Sequence, residues 1–170
     1  MEGGNLHAPA CGFAVFFEDA VGDIFFHGMF GSLISTEGRY DDFLGTERCT
    51  SGASEINGMT WVILWLLQAP QKRFVVYYDC QYAAQVVTAR ATPLVNKPLV
   101  TFAAGIMAYA TRLKEVTTQH VYSHRGHAWN ELADLICTCT SLRGVGFGAP
   151  WFIPASVRQI IRGDVKSADG

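Results

Sequence analysis

Residues 74–79 read FVVYYD, a short aromatic and β-branched run that ends in an aspartate. A run of this length and composition is typical of a strand buried on both faces, as in a parallel sheet. Ligands of open α/β sheets collect at the carboxyl ends of the strands, so Asp79 lies where a functional group is expected. The alternative is that Asp79 only caps a short helix predicted over 81–89.

Helices and strands alternate on both sides of this strand, after a hairpin at the N-terminal end. The turn at 19–22 joins the two hairpin strands, and Pro70 ends the helix that precedes the central strand. This order predicts an α/β domain with a mixed sheet. The other predicted elements are strands over 12–18, 23–29 and 119–123, helices over 52–68, 98–113 and 129–140, and a long connection over 31–50.

Composition limits both the organisation and the partners of the chain. Its 170 residues suffice for one domain with a hydrophobic core, predicted over 1–142, and Gly- and Pro-containing residues 143–170 are expected to form a linker and tail, with a short helix near 155–161. A net charge of −2 and a pI of about 6.2 give no overall attraction to nucleic acid, so such binding would need a local patch or a partner domain.

The sequence favours an intracellular protein without a membrane segment. The first ten residues lack the basic and apolar regions of a signal peptide, and the apolar run at 59–67 is too short to cross a bilayer, which needs about 20 residues. The five cysteines are scattered, with no zinc spacing and no disulfide framework, and we expect them to be buried, reduced thiols.

Two further acids occupy positions where a surface charge is not expected. Glu55 lies in the first turn of the helix over 52–68, on the same side as Met59, Val62 and Leu66. A carboxylate on that apolar face is costly unless it is paired or binds a metal, although a role at the helix N-terminus is the alternative. Asp134 lies in the helix over 129–140 and could be a surface aspartate, but the preceding sequence HRGH (124–127) favours a functional role.

The segment SHRGHAWNELADLIC (123–137) resembles the closing motif of type 1 ribonuclease H domains, in which His-x-Gly-His is followed by Asn-Glu and a catalytic Asp. The segment YYDCQY (77–82) is similar to the strand motif of that family, and TSGASEINGM (50–59) is similar to its helix that carries a catalytic Glu. The order of the motifs agrees over residues 2–142. The sequence WNELAD at 129–134 looks most like the corresponding segment of ribonuclease H domains in retroelement polyproteins.

The resemblance implies a ribonuclease H-like fold, which is a mixed five-stranded sheet flanked by helices. The hairpin corresponds to strands 2 and 3 of the family, so strand 1, the central strand, is largely missing here. Glu2 stands where the family has a fourth acid at the end of that strand, or else it is only a terminal charge.

The resemblance also implies a function: hydrolysis of the RNA strand of RNA–DNA hybrids with two Mg²⁺ ions, for which Mn²⁺ could substitute. His124 would assist proton movement or product release, while Ser51 and Gln81 would contact the hybrid. A partner reverse transcriptase domain is expected upstream in a parent polyprotein. The alternatives are a catalytically inactive scaffold of the same fold and, less favoured, a related exonuclease with the same carboxylate chemistry. The implied catalytic residues are Glu55, Asp79, His124 and Asp134, and the implied metal ligands are Glu2, Glu55, Asp79 and Asp134.

Overall fold

The computed structural model describes residues 7–123, 125–146 and 148, which form a mixed α/β fold. The α/β class predicted from the alternating pattern is therefore confirmed. Most predicted elements are present with small changes of their ends. In chain order the elements are β1 (Ala10–Glu18), β2 (Ile24–Leu33), α1 (Ser51–Gln68), β3 (Arg73–Tyr78), α2 (Gln81–Val87), α3 (Lys97–Leu113), β4 (Glu115–His120) and α4 (Ala128–Arg143).

Strands β1 and β2 form the predicted antiparallel hairpin. Its turn is held by Asp19, whose Oδ1 accepts hydrogen bonds from the amides of Val21 at 3.0 Å and Asp23 at 2.9 Å. Gly22 completes the turn with φ +90°, a conformation that favours glycine. Strand β2 continues to Leu33, four residues beyond its predicted end, because it pairs with β1 as far back as Ala10.

Strands β3 and β4 form a second, parallel pair. Strand β4 was predicted over 119–123, and this position is wrong, because β4 begins at Glu115 directly after α3. The parallel register with β3 sets these ends: Arg73 lies opposite Glu115 and forms an ion pair with it at 3.1 Å. At the other end, the amide of Val121 donates to the carbonyl of Tyr78.

Strand β3 is not buried on both faces, which corrects the sequence prediction. Phe74, Val76 and Tyr78 pack against the core, whereas Val75 and Tyr77 are 47% and 44% exposed. The reason is that the helical core covers one face of the β3–β4 pair, and the other face is only partly covered. Apolar composition alone does not show whether a strand is buried on one face or on both.

The four described strands form two separate pairs and not the five-stranded mixed sheet implied by the resemblance. Within the described residues no strand joins β1 to β3. The hairpin packs against α4 and α1 instead. This difference determines the shape of the candidate site, because the edges of both pairs remain open next to it.

Helix α1 is the centre of the core, with α2 and α3 packed against it. It begins after Thr50, whose hydroxyl accepts from the amide of Ala53 at 3.0 Å, and it ends before Pro70 as predicted. The connection that precedes it is fixed by buried Asn96, whose Oδ1 accepts from the amides of Glu47 and Arg48, both at 2.8 Å. These contacts hold the start of α1 in place.

Among the described residues, no helix is long and apolar enough to cross a membrane. Helix α4 ends at Arg143, three residues beyond its predicted end, and Gly144 (φ +66°) is its C-cap. The short helix predicted near 155–161 and most of the predicted C-terminal tail lie outside the described residues. All five cysteines are free thiols, but they are not all buried as predicted: Cys11 is buried, whereas Cys49 is exposed.

Candidate active site

A cavity of about 150 Å³ lies between the two strand pairs. Residues of β1, α1, the end of β3 and α4 form its walls. The cavity brings together three of the predicted site residues, because Glu55, Asp79 and Asp134 all line it. These acids are far apart in the sequence, and each comes from a different element.

Asp79 follows the last residue of β3, and its carboxylate is held from two directions. Ser123 donates from Oγ to Oδ2 of Asp79 at 2.8 Å, and Asn130 donates from Nδ2 to the same oxygen at 3.2 Å. The alternative role as a helix cap is wrong, because Cys80 is the N-cap of α2 and the Asp79 side chain does not bond to that helix. The carboxylate is therefore oriented toward the cavity side by two neutral donors.

Helix α4 presents one face to the cavity. Asn130, Ala133, Asp134 and Cys137 line it, and their spacing of three and four residues is the spacing of one helical face. His127 is the N-cap of this helix, and its Nδ1 accepts from the amide of Asn130 at 3.4 Å. The N-cap thus fixes the turn that carries Asn130, and one turn later the same face carries Asp134.

Glu55 lines the cavity and is not part of the buried core. Its side chain is exposed, although Met59 and Leu66 on the same side of α1 are buried as predicted. Partial burial raises the pKa of the Glu55 carboxyl, and the nearby charges of Asp79 and Asp134 raise it further. The three acids therefore repel one another, and a cation between them would relieve that repulsion.

Three cysteines that the sequence did not single out share this cavity: Cys11, Cys80 and Cys137. Burial raises the pKa of each thiol, and the charge of Glu55 adds to the effect in all three. Because the thiols stay protonated at neutral pH, the carboxylates are the anionic donors of the cavity. This donor set suits a hard cation such as Mg²⁺ better than a thiolate-preferring metal.

Within the described part of the chain, no three His, Cys, Asp or Glu side chains form a group that could hold a metal ion by themselves. Mg²⁺ typically takes only one or two carboxylates and completes its shell with water and substrate phosphate. The chemistry of the donors therefore fits Mg²⁺, provided that other ligands complete the coordination.

The two predicted substrate contacts lie beside the cavity and not in it. Ser51 and Gln81 are the first residues of α1 and α2, and both are exposed. The two helix starts are adjacent, since a Cβ on Gly52 would lie 2.9 Å from the ring of Tyr82. Gly52 thus leaves room for this ring. Glu2 and His124, predicted as a metal ligand and a catalytic residue, lie outside the described residues.

The sequence reasoning missed the two side chains that hold Asp79. Asn130 was inside the quoted motif without an assigned role, and Ser123 directly precedes the HRGH sequence. An amide and a hydroxyl give no sequence signal of their own. Only the approach of α4 and the loop after β4 to the end of β3 identifies them.

No protein-family model matches the chain, and no curated protein is found to be similar to it.

Proposed function

We propose that this chain is a metal-dependent endonuclease that hydrolyses the RNA strand of RNA–DNA hybrids. The observation that carries the proposal is that Glu55, Asp79 and Asp134, from three separate elements, line one cavity. The resemblance of the surrounding motifs to type 1 ribonuclease H domains supports the choice of substrate. The parent protein, on this proposal, is an intracellular retroelement polyprotein with a reverse transcriptase domain.

The acids have separate tasks in this proposal. Asp79 is held in place by Ser123 and Asn130, which donate to its Oδ2 and fix the orientation of the carboxylate. Asp134 and Glu55 supply the other two of these carboxylates and add to the negative charge of the cavity. Partial burial, followed by the charges of Asp79 and Asp134, raises the pKa of Glu55, and a cation beside the three acids would relieve the part of that cost that comes from charge repulsion.

Divalent cations bound by these carboxylates would activate water and stabilise the charge that develops on the phosphate. Two Mg²⁺ ions are proposed, with Mn²⁺ as a substitute, and Glu2 would be a further ligand. Ser51 and Gln81 are exposed at adjacent helix starts, where they are free to contact the hybrid. His124 would move protons or assist product release.

The test is cleavage of a fluorescent RNA–DNA hybrid in Mg²⁺ by the purified chain and by Asp79→Asn and Asp134→Asn variants. Loss of an outer partner of a metal ligand already costs roughly 10–100-fold in such sites. We therefore expect the loss of Asp79 itself to lower the rate by at least about a hundredfold. The matched control is Glu131→Gln, which removes an exposed acid of α4 that does not line the cavity. Cleavage by Asp79→Asn at the wild-type rate would refute the proposal.

A second candidate, a catalytically inactive scaffold of the same fold, is favoured by one observation. The two strand pairs are not joined within the described residues, so the cavity has open walls where a complete sheet would support the acids. This candidate predicts a folded protein that cleaves no hybrid in either Mg²⁺ or Mn²⁺. The same cleavage assay decides between the two.

A further inference from the structure

The chain that follows α4 turns back and passes along strand β2. A Cβ on Gly146 would lie 2.8 Å from the carbonyl oxygen of Gly31, and a Cβ on Gly148 would lie 2.9 Å from that of Met29. A side chain at either position would collide with β2, so the two glycines allow this close approach. From 146 to 148 the facing residue of β2 goes back by two, and the chain therefore runs antiparallel to β2.

The carbonyls of Met29 and Gly31 lie on the edge of β2 that faces away from β1. Directly after β2, the amide of Ile34 donates to the carbonyl of Pro9 at 2.9 Å. In an antiparallel pair, residues that bond to the partner strand alternate with residues that point outward. Counting back from Ile34 in steps of two assigns the even-numbered residues to the β1 side, so Gly31 and Met29 point outward. The chain after α4 therefore follows the outer edge of β2.

An apolar row is exposed on β2 between this contact and the hairpin turn. The side chains of the row are between 44% and 55% exposed, and they are Ile24, Phe25, Phe26 and Met29. Within the described residues the strand neighbour of β2 is β1, so β2 is an edge strand. An exposed apolar row on an edge strand favours pairing with other chains unless something covers it. The direction from Gly146 to Gly148 leads into this row.

The next residues of the sequence, 149–154, read APWFIP and are apolar throughout. They lie outside the described residues. Six residues separate Met29 from Asp23 at the turn, and six extended residues at about 3.4 Å each span about 20 Å. Residues 149–154 are therefore long enough to follow the whole apolar row. Pro150 and Pro154 cannot donate backbone hydrogen bonds, so contact with β2 would come mainly from the large side chains between them.

The charges at the far end of the row are complementary to those of the C-terminal segment. Three exposed acids lie at the hairpin turn: Glu18, Asp19 and Asp23. Residues 149–163 contain no acid and two bases, Arg158 and Arg162, whose separation of four residues is that of one helical face. Because residues 149–154 span the row, these bases would follow at the acidic turn, where opposite charges attract.

We propose that residues 149–154 of this chain cover the exposed apolar row of β2. The occupant is a segment of the same molecule, because the described chain already enters this edge at Gly146 and Gly148. Residues joined directly to Gly148 are present at the row at a high effective concentration, an advantage that a separate chain lacks. A covered edge strand is also protected from pairing with other molecules. The proposal does not depend on nuclease activity.

The test is a double-mutant cycle on the full chain, measured by urea unfolding without divalent metal. One change, Trp151→Ala/Phe152→Ala, removes large side chains of the segment, and the other, Phe26→Ala/Met29→Ala, removes half of the row. We expect the first change to raise the unfolding equilibrium constant about tenfold less in the second background than in wild type, because the same apolar contacts are lost only once. Tyr109→Ala, which removes an exposed ring of α3, is the control background, and there the effects should add. Additive effects in both backgrounds would overturn the proposal.

Protein concentration identifies what covers the row. A segment of the same molecule gives a coupling that does not depend on concentration, whereas a second copy gives one only where the chain is dimeric. The cycle is therefore measured at low and at high protein concentration, with the oligomeric state followed by sedimentation. Equal coupling at both concentrations in a monomer is the expected result, and a coupling that disappears on dilution together with a dimer would overturn the proposal. Phe26 and Met29 do not line the cavity, so this proposal and the cleavage proposal fail separately.

Discussion

Asn130 donates a hydrogen bond from Nδ2 to Oδ2 of Asp79 at 3.2 Å, and this contact joins helix α4 to the end of strand β3. The same face of α4 carries Asp134 one turn later, so the bond also sets the position of a second acid relative to the first. The amide contributes no charge. It holds Asp79 in a cavity that Asp134 and Glu55 also line. The charges of Asp79 and Asp134 raise the pKa of Glu55, so the three carboxylates repel one another.

The first prediction replaces this amide by a carboxylate. Asn130→Asp puts a negative charge beside Asp79, and repulsion should lower the free energy of unfolding by about 1–2 kcal/mol without divalent metal, after allowance for solvent screening. Mg²⁺ should restore much of the loss, because a cation compensates the added charge. Urea unfolding with and without Mg²⁺ measures both effects. The control, Asn130→Ala, should cost about 0.5–1.5 kcal/mol, with little further effect of Mg²⁺. An Asn130→Asp variant as stable as wild type in EDTA would contradict the arrangement.

The second prediction concerns the pH dependence caused by Glu55. Burial, followed by the charges of Asp79 and Asp134, raises its pKa above the ordinary value of 4.5, so folding favours the protonated acid. The associated stability is fully present below pH 4.5 and is lost as the pH rises through the folded-state pKa. Glu55→Gln, which resembles the protonated form, should match wild type at low pH and exceed its stability at neutral pH. The side chain is exposed, so we expect a gain of no more than about 0.5–1 kcal/mol.

Thermal or urea unfolding across this pH range, in EDTA, measures the effect. Glu18→Gln is the control, since Glu18 is an exposed acid at the end of β1 that does not line the cavity. The difference in stability between Glu18→Gln and wild type should be the same at low pH and at neutral pH. A Glu55→Gln variant that is less stable than wild type at neutral pH in EDTA would show that the ionised acid is stabilising, contrary to the expectation.

The third prediction compares two glycines that line the cavity. A Cβ on Gly12 would lie 2.9 Å from the amide nitrogen of Cys137 and closer still to Ile136, so Gly12→Ala should push α4 away and destabilise the fold by about 1–3 kcal/mol. A Cβ on Gly58 makes only ordinary contact, and alanine is the better helix residue by about 1 kcal/mol. Gly58→Ala should therefore be neutral or stabilising. Unfolding curves of the two variants, compared with wild type, test the opposite signs directly.

The fourth prediction concerns buried Asn96, which lies in the left-handed region at φ 55° before α3. Its side chain makes three hydrogen bonds to the backbone of Glu47 and Arg48, and its replacement leaves these groups without their partner. Asn96→Ala should cost about 2–4 kcal/mol. Asn96→Asp keeps the acceptor for the two amides and loses the bond to the Arg48 carbonyl, so it should cost less. Chemical unfolding distinguishes the two, and equal costs would mean that the acceptor is unimportant.

The sequence was sufficient for the elements whose signal is local. The hairpin turn at Asp19, the end of α1 before Pro70 and the helix that carries Asp134 all follow from turn residues, helix-ending residues or apolar periodicity, and they lie close to where they were predicted. Strand β4 was misplaced, because its start is set by its parallel register with β3 and not by its own residues. The exposure of Val75 and Tyr77 was missed for a similar reason, since burial depends on which faces the helices cover.

The sequence by itself thus determined the α/β class, the order of the elements and the three candidate acids: Asp79 after β3, Glu55 in the first turn of α1 and Asp134 within α4. The tertiary structure decided that these acids meet in one cavity, that Ser123 and Asn130 hold Asp79, and that the cavity opens between two strand edges. The physical reason is the difference in the sequence separation over which the two kinds of interaction act. Local backbone preferences act over a few residues, whereas the approach of α4 to β3 and the separation of β1 from β3 depend on packing between segments distant in the chain.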